Sequence, residues 1–531
     1  MSRAIWIAII FAAGAAGICF WSQSRHLDEP GLLMEQGPWL TVLTLLAIVG
    51  VRPGAQSLLL ALTRPVRFRH APLMLSGLTL VALLAIAGLA LAAFPNSGDE
   101  YTYVLQAKTY ASGHLWVAAP RSPEFFNLAR FFAKDGIWIS PYQPGWSLAL
   151  APFALVHWPL WTVQPFLGAV TVLVFFWTVR AVGDLPEAWL ASLSLVISPF
   201  FLLNFASYFS HGIGALATLG FVAFGLRYLQ TGRWWDAALA GALVGFVGFV
   251  RAFNAIFLLA PFVVTLLLTP GRRRGLIWLG LGGAPWLVAL LGYYAAVSGN
   301  PLLPVPEWYA RGDEPLGALD KRSSIETIRR IIRLYFWTSP IFVAAIVPSF
   351  VALAVRRRLT FLDWIAPLTL IGYAFYGGTG GNQYGPRYLF EAWPLALITV
   401  FRAAYPLSTS DRKSYWGPWI AAAFVVHLLF QASYIPPRLV REHRVIVERL
   451  DLYRDVKRAG LSNAVVIVKG PSGTSRPMWP EDLARNDLDP YSRSVVYVRD
   501  LGVRNPELLR LFPGRRYFIY DKGTISPATL R

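Results

Sequence analysis

The chain has 531 residues, of which 55% are hydrophobic and only 15% are charged, whereas soluble globular proteins carry roughly 25% charged residues. Apolar stretches of about twenty residues, each long enough to cross a bilayer, recur as far as residue 434 and exclude a soluble or disordered protein. The net charge of +19 is divided among short clusters between these stretches, so it does not indicate a nucleic-acid-binding surface. Cys19 is the only cysteine, which excludes an internal disulfide and a thiolate metal site.

The apolar stretches predict a polytopic α-helical membrane protein with about thirteen transmembrane helices. The first stretch, residues 4–21, has no small-residue cleavage site after it and is interpreted as a retained helix. Residues 145–158 are apolar but too short to span, so we expect an interfacial or re-entrant segment there. The other predicted spans lie near 37–62, 72–94, 160–181, 187–206, 208–229, 236–250, 252–269, 275–297, 335–355, 361–378, 388–405 and 416–434.

Clusters of basic residues alternate with the spans and predict their direction. With the first helix starting inside, all of the clusters fall on the cytoplasmic side, as the positive-inside rule requires. The loops 95–143 and 298–334 are then extracytoplasmic, as is the tail, in a protein of the cell (inner) membrane. The clusters are Arg64, Arg67 and Arg69, then Arg227 and Arg233, Arg272 to Arg274, Arg356 to Arg358, and Arg412 with Lys413.

The tail from residue 435 loses the apolar stretches and becomes mixed in composition. Residues 465–469, 495–499 and 517–520 are typical of short strands, with helical turns at 480–484 and 506–511. We therefore predict two domains, a transmembrane module over 1–434 and a small extracytoplasmic α/β domain over 435–531.

Two adjacent carboxylates, Asp99 and Glu100, follow the third predicted span. At a membrane surface such groups could deprotonate a hydroxyl or amine acceptor, or help to bind a divalent cation. They also fit the capping pattern Ser97-x-x-Glu100 at the start of a helix over residues 99–112. The local pattern leaves the catalytic and the capping interpretations both open.

A turn over residues 138–146 contains two prolines and a glycine, and it includes Tyr142 and Gln143. Its aromatic side chains could stack on a sugar ring or lie in the interfacial belt of aromatic residues. Both uses are compatible with the pattern, and Tyr142 and Gln143 are candidate substrate-binding residues.

Three further candidates lie at predicted outer ends of helices. Arg387, followed by Tyr388, could hold a phosphate with its multidentate guanidinium or anchor a helix to lipid headgroups, and Arg251 has the same two interpretations. His211 starts another helix, where a lone histidine is more often structural. The sequence contains no Walker motif, Rossmann fingerprint, HExxH motif or clustered His/Cys set. No metal ligand is therefore assigned, and the requirement for a divalent cation is left open.

The arrangement Asp99-Glu100-Tyr-x-Tyr, followed by Ala107-Lys108 and Gly113 and then by a Pro-Gly turn and many spans, resembles the GT-C glycosyltransferase superfamily. It is most similar to the polyprenyl-phosphate-sugar transferases related to protein O-mannosyltransferases and to the lipid A aminoarabinose transferase. The resemblance covers the layout of residues 70–435. It implies a multi-helix membrane module whose extracytoplasmic site has an acidic residue in the first large loop.

Carried over by residue, the resemblance implies that Asp99, and with it Glu100, is the acidic site of the first loop. Arg387-Tyr388 is similar to a Pro-Arg-Tyr signature of bacterial members. Residues 142–145 occupy the place of a Pro-Pro turn that some relatives precede with Glu-Lys, which this chain lacks. Ser210-His211 stands where some relatives carry another acidic residue, which weakens the case for a metal site.

The resemblance implies a hexosyl- or pentosyltransferase of inverting type that moves a sugar from a polyprenyl-phosphate donor to a lipid, glycan or protein acceptor. Asp99 would accept the proton of the acceptor, and Arg387, with Arg251, would stabilise the departing lipid phosphate. A polymerase or ligase of surface polysaccharides would share this topology. The alternative from another class is a transporter or flippase of a lipid-linked or anionic substrate, which would favour inverted repeats and broken helices at the midplane.

Overall fold

The computed structural model of the chain describes residues 42, 46–50, 52, 54, 68–126, 130–310, 321–376, 383–409, 417–469, 484–521 and 523–530. Several predictions from the sequence lie outside these residues. They are the first span at 4–21 with Cys19, most of the span at 37–62, Arg64, Arg67, Arg412 and Lys413, and most of the helical turn at 480–484.

Helices dominate the described residues, with two small sheets. The helices are α1 Ala71–Ala85, α2 Gly98–Ala111, α3 Gly145–Leu155, α4 Val163–Val182, α5 Leu185–Val196, α6 Pro199–Ala206, α7 His211–Thr231, α8 Trp234–Leu268, α9 Gly275–Ser298, α10 Val305–Ala310, α11 Lys321–Trp337, α12 Pro340–Val355, α13 Phe361–Ala374, α14 Trp393–Thr409, α15 Gly417–Arg458 and α16 Leu508–Leu511. The strands are β1 Val117–Ala118, β2 Phe132–Lys134, β3 Ile137–Ile139, β4 Ala464–Val468, β5 Val495–Arg499, β6 Arg516–Asp521 and β7 Thr524–Pro527.

Within the described residues, five helices are long and apolar enough to cross a membrane, and there are seven such spans if each bent helix pair counts as one. The predicted count of about thirteen is therefore not confirmed. The predicted span at 187–206 is the pair α5 and α6, bent by 63°, and the predicted span at 335–355 is α12, which is bent by 116° from α11. Helices α3 and α13 are apolar but shorter than a span, and for α3 this agrees with the expected non-crossing segment.

Helix α8 has 35 residues and reverses at Arg251, where the backbone is extended (φ −154°, ψ 81°). Asp236, near its start, contacts Thr231 at the C-terminal end of α7. Arg272, just beyond its end, donates to the carbonyl of Leu229 at that same end. Arg251 instead contacts His211, the first residue of α7. The two limbs are thus antiparallel. The boundary that the sequence predicts between the spans at 236–250 and 252–269 lies at the same residue.

The described basic residues of the predicted cytoplasmic clusters lie at one end of the helix bundle. We call the end that contains His211, Arg251 and the start of α2 the site face. The basic residues Arg272 and Arg358 lie at the opposite end: Arg272 caps the end of α7, and the carbonyl of Arg358 accepts from Arg402 near the end of α14. The described parts of the basic clusters are therefore remote from the site face.

The predicted extracytoplasmic loop over 298–334 is partly helical in its described residues. It contains α10 and most of α11. Isoleucines and arginines alternate in α11 at helical spacing, so the segment is amphipathic but too charged to be recognised as a span. It leads directly into α12 across the bend at Thr338 and Ser339.

The predicted domain boundary after residue 434 falls inside α15, which runs on to Arg458. The apolar composition ends near residue 434, but the helix continues through Pro436 and Pro437 into a segment rich in arginine, glutamate and leucine, which favour helix. The three predicted strands are present as β4, β5 and β6, in a sheet of order β5-β4-β6-β7 whose first three strands are parallel.

This sheet shares a hydrophobic core with the first loop. Phe126 and Trp138 of the loop pack with Val465, Val498 and Phe512 of the tail. The first loop contributes its own small antiparallel sheet, of order β1-β3-β2. The separate α/β domain over 435–531 stays a prediction, with its sheet starting only at Ala464.

Candidate active site

Helix α2 starts at the site face and brings two carboxylates to its first turn. The Oγ of Ser97 accepts a hydrogen bond of 3.2 Å from the N–H of Glu100, so the capping that the sequence predicts is present. Successive side chains of a helix point about 100° apart. Asp99 is therefore directed into the site with 29% of its side chain exposed, while Glu100 is buried.

Asp99 is the point where three distant segments meet. The hydroxyl of Tyr142 donates to its Oδ1 at 2.7 Å, and Nη2 of Arg387 donates to its Oδ2 at 3.2 Å. Nε of Arg130 lies 3.8 Å from Oδ1. The structure thus brings together three of the residues that the sequence predicts, and adds Arg130.

Arg387 is held rigidly from its other side. Its guanidinium lies 3.5 Å from the centre of the Phe209 ring, a distance at which the ring attracts a cation. Pro386 precedes it, and residues 387–389 form a single 3₁₀ turn. With 7% of the side chain exposed, Arg387 is oriented by Asp99 and by the ring rather than extended toward headgroups.

The two candidates from the 138–146 turn have different positions. Tyr142 stacks on Tyr103 with ring centres 4.7 Å apart and faces Asp99. Gln143 points to the reversal of α8, where its Oε1 accepts from the N–H of Ala252 at 2.8 Å and its Nε2 donates to Tyr294 at 3.3 Å. Gln143 thus supports the site from behind rather than lining it.

Arg251, His211 and Glu391 form a second cluster. Nε of Arg251 and Nδ1 of His211 each lie 3.2 Å from Oε1 of Glu391, and Nη1 of Arg251 lies 3.4 Å from Nε2 of His211. Arginine can only donate, so Nε2 accepts and the proton of a neutral His211 is on Nδ1, directed at Glu391. Glu391 thus pairs with one cation and with one imidazole N–H.

Tyr388 lies beside this cluster. Its ring stacks on Tyr373 with centres 4.9 Å apart. The guanidinium of Arg251 is 5.5 Å from the Tyr388 ring and that of Arg330, from α11, is 5.0 Å from it. Two cations and two aromatic rings are thereby gathered close to Asp99 and Arg387.

Sequence reasoning missed Glu391 and Arg330. Glu391 lies inside the predicted span at 388–405, where an acidic residue among apolar ones is itself a signal of function. Arg330 lies in the segment 298–334, which the sequence predicts to be a loop. Only its position on the inward face of an amphipathic helix distinguishes it from the neighbouring arginines.

Glu100 has a different environment from Asp99. Its carboxylate accepts from the N–H of Tyr208 at 3.2 Å and from Nε2 of Gln383 at 3.1 Å. Burial raises the pKa of Glu100 to about 7, against the opposing effects of the Tyr208 hydrogen bond and of Arg387. It joins α2 to two other segments and does not line the site with Asp99.

Within the ranges that the structure describes, no group of three or more His, Cys, Asp and Glu side chains is arranged to hold a metal ion. His211 and Glu391 are close to each other, but the third member of their cluster is a cation. That arrangement suits an anion or a polarised hydroxyl better than a divalent cation.

The fold is similar to that of solved membrane proteins. ArnT from Cupriavidus metallidurans, bound to undecaprenyl phosphate, aligns over 74% of this chain and 82% of its own with a TM-score of 0.50 and 14% identity. An oligosaccharyltransferase from Archaeoglobus fulgidus (TM-score 0.43, 12% identity, 73% of this chain and 58% of its own) also matches. The arabinofuranosyltransferase AftD from mycobacteria matches as well, with a TM-score of 0.44 and 15% identity over 83% of this chain and 32% of its own.

No family model matches the sequence, and no curated protein does. The likeness to ArnT therefore rests on the arrangement of the helices rather than on sequence identity. The chain therefore has a helical fold similar to that of ArnT.

Proposed function

We propose that the chain transfers a hexosyl or pentosyl group from a polyprenyl-phosphate carrier to a lipid, glycan or protein acceptor. The observation that carries the proposal is the contact of one partly exposed carboxylate, Asp99, with both Arg387 and Tyr142 at the site face. The undecaprenyl phosphate bound to the structurally similar ArnT supports a carrier of this class.

In this reaction the acceptor hydroxyl or amine attacks the anomeric carbon of the donor sugar, and its proton passes to Asp99. The bond between that carbon and the phosphate oxygen breaks, and the carrier leaves as a lipid phosphate. Attack opposite the leaving group inverts the anomeric carbon. Tyr142 keeps the Asp99 carboxylate directed at the acceptor, and general base catalysis of this kind contributes about 10²–10⁴-fold.

Negative charge grows on the departing phosphate oxygen, so fixed cationic donors nearby stabilise the transition state. Arg387 and Arg251 are the donors that we assign to this task. The half-buried ring of Tyr388 offers an aromatic surface against which the sugar can pack. The site thus supplies a base on one side and anion-binding groups on the other.

The site face is, in this proposal, extracytoplasmic in the inner membrane. The described basic residues of the clusters at 272–274 and 356–358 lie at the other end of the bundle, and such residues favour the cytoplasmic side. A donor delivered from the outer leaflet would then reach Asp99 without crossing the bilayer.

A transporter or flippase of lipid-linked substrates is the second candidate, favoured by the bent pairs α5–α6 and α11–α12, since broken helices are typical of transporters. The polar clusters, however, gather at one face rather than at the midplane. Chemistry therefore explains their position better than transport does.

The decisive experiment measures transfer by the purified protein in liposomes from a panel of radiolabelled polyprenyl-phosphate sugars. Asp99→Asn should abolish transfer and leave the fold intact. The matched control, Ser97→Ala, removes the cap of the same helix at a cost of about 0.5–2 kcal/mol in stability, and should retain transfer. Wild-type transfer by Asp99→Asn, or transbilayer movement of the donor with no bond broken, would refute the proposal.

A further inference from the structure

Glu391 is a buried carboxylate to which the reaction described above gives no task. It lies just before α14, with only 3% of its side chain exposed. Its neighbours come from two other elements: His211 starts α7, and Arg251 is the residue at which α8 reverses. A buried carboxylate is costly unless it is paired, so its retention here calls for a task.

Glu391 is too enclosed to act as the base. Its Oε1 is already contacted by Arg251 and His211, at 3.2 Å each, whereas Asp99 is almost ten times more exposed. An acceptor hydroxyl would have no path to Glu391. Whatever Glu391 does, it does through the two side chains that it contacts.

Of those two side chains, Arg251 is the one that extends toward the site. A long arginine side chain loses rotamer entropy when it is fixed. Glu391 holds the Nε edge of this guanidinium, and His211 accepts from Nη1 at 3.4 Å. Nη2 lies 3.4 Å from the Tyr373 hydroxyl. The plane of the guanidinium is therefore set by three partners before any ligand binds.

The fold also makes room for this carboxylate. A Cβ at Gly214, one turn into α7, would lie 2.9 Å from Oε1 and 3.2 Å from Cγ of Glu391, closer than side chains normally approach. A glycine at position 214 thus leaves the space in which Glu391 reaches both His211 and Arg251. This observation is independent of the hydrogen bonds in the cluster.

We propose that Glu391, bridged by His211, is the positioning residue that fixes the guanidinium of Arg251 beside Tyr388 to receive the phosphate of the carrier. The inference rests on the proposed function and deepens it. Glu391 contacts no substrate; it sets the direction in which Arg251 donates.

The test is a double-mutant cycle on the full-length protein in nanodiscs, with undecaprenyl phosphate as the binding probe. Glu391→Gln should weaken the binding of the probe and raise the KM for the donor by roughly 10- to 100-fold, since the negative charge that faces Arg251 is lost, with a smaller change in kcat. In an Arg251→Ala background, Glu391→Gln should cause no further loss. Unchanged affinity in Glu391→Gln, or losses that multiply in the double variant, would overturn the inference.

Gly214→Ala provides a variant that keeps every charge, should Glu391→Gln fail to fold. It should weaken binding of the probe by displacing Glu391. Gly292→Ala in α9 is the matched control, because a Cβ there meets nothing within 4 Å, and it should bind as the wild type does. Equal affinity in both glycine variants would count against the inference. A wild type that neither binds the probe nor transfers sugar would overturn the proposed function itself.

Discussion

Arg387 lies between a carboxylate and an aromatic ring, and both contacts depend on the shape of the guanidinium. A flat, delocalised cation can stack on Phe209 while it donates to Asp99 or to a phosphate, whereas a lysine ammonium is a point charge that cannot do both. Arginine at this position is therefore a requirement of geometry as well as of charge.

We predict that Arg387→Lys loses much of the kcat/KM for transfer and that Arg387→Ala loses more, by about 2–4 kcal/mol in transition-state stabilisation. The measurement is transfer by the purified variants in liposomes. Lysine snorkels to headgroups as well as arginine does. Near-normal turnover by Arg387→Lys would therefore reduce Arg387 to a lipid anchor.

The raised pKa of Glu100 predicts a dependence of stability on pH. The folded carboxyl has a pKa of about 7 against 4.5 in the unfolded chain, so the folded state binds more protons between these values. Its contribution, of the order of 3 kcal/mol, is present in full below pH 4.5 and is lost as the pH rises to about 7.

Glu100→Gln, which cannot ionise, should flatten the profile of melting temperature against pH between 5 and 8. Thermal unfolding in detergent measures this, with the exposed Glu124→Gln as the control that keeps the wild-type slope. A Glu100→Gln profile parallel to that of the wild type would show that Glu100 remains ionised in the fold.

The sequence reveals the residues whose chemistry is unusual for their place in the chain. Asp99, Arg387 and Arg251 stand out because charged groups next to apolar stretches are expensive. Glu391 also stands out, as an acidic residue inside an apolar span, but its task, like that of Arg330, depends on partners that are distant in sequence. The contrast between Asp99 and Glu100 also needs the structure, since the rotation of about 100° between consecutive helical residues sends two carboxylates into different surroundings.

At the scale of elements, α11 is the clearest departure from expectation. Its arginines made the segment look like a solvated loop. In the structure Arg330 is fully buried, whereas Ile325 and Ile328 are 53% and 58% exposed. Arg330 thus faces the protein while two isoleucines face outward, and we expect these isoleucines to contact lipid.

A spin label at position 328 tests this placement, in a Cys19→Ala background with Ile328→Cys. In liposomes the label should collide more with oxygen, which concentrates in lipid, than with a water-soluble nickel chelate. A label at Glu507→Cys, at an exposed position of the tail, is the control and should show the reverse. Preferential access of the nickel chelate to position 328 would place α11 in water.

The reversal at Arg251 is the opposite case, because it could be predicted from the sequence. Arg251 interrupts the middle of 35 residues that are otherwise mainly apolar. A straight helix of that length is much longer than the roughly 20 residues that cross one bilayer. The bends at α5–α6 and α11–α12 could not be predicted, since they depend on packing against neighbouring helices.

At the scale of the whole molecule, the tail is joined to the first loop rather than suspended from the membrane module. Besides their common core, Nζ of Lys108 on α2 lies 3.1 Å from Oδ1 of Asp487. The hydroxyl of Tyr101 on the same helix donates to the carbonyl of Asn486 at 2.5 Å. The helix that presents Asp99 is therefore braced by the tail.

We predict that Phe126→Ala destabilises the tail and the first loop together, by about 3–5 kcal/mol. Phe126 is fully enclosed between residues of the two segments. Thermal unfolding and limited proteolysis of the tail are the measurements, and Val503→Ala, at a site 95% exposed, is the control. If Phe126→Ala melts like the control, the two segments are independent.

Helix α15 connects the membrane to that shared core, and its length has a mechanical consequence. Its 42 residues measure about 63 Å at 1.5 Å each, roughly twice the hydrocarbon thickness of a bilayer. Arg449 on its outer half donates to Asn96 at 3.1 Å, three residues before Asp99. A helix adapts to thicker or thinner lipid by changing its tilt, and this helix transmits the change to the start of α2. We therefore expect the thickness of the bilayer to affect the position of Asp99.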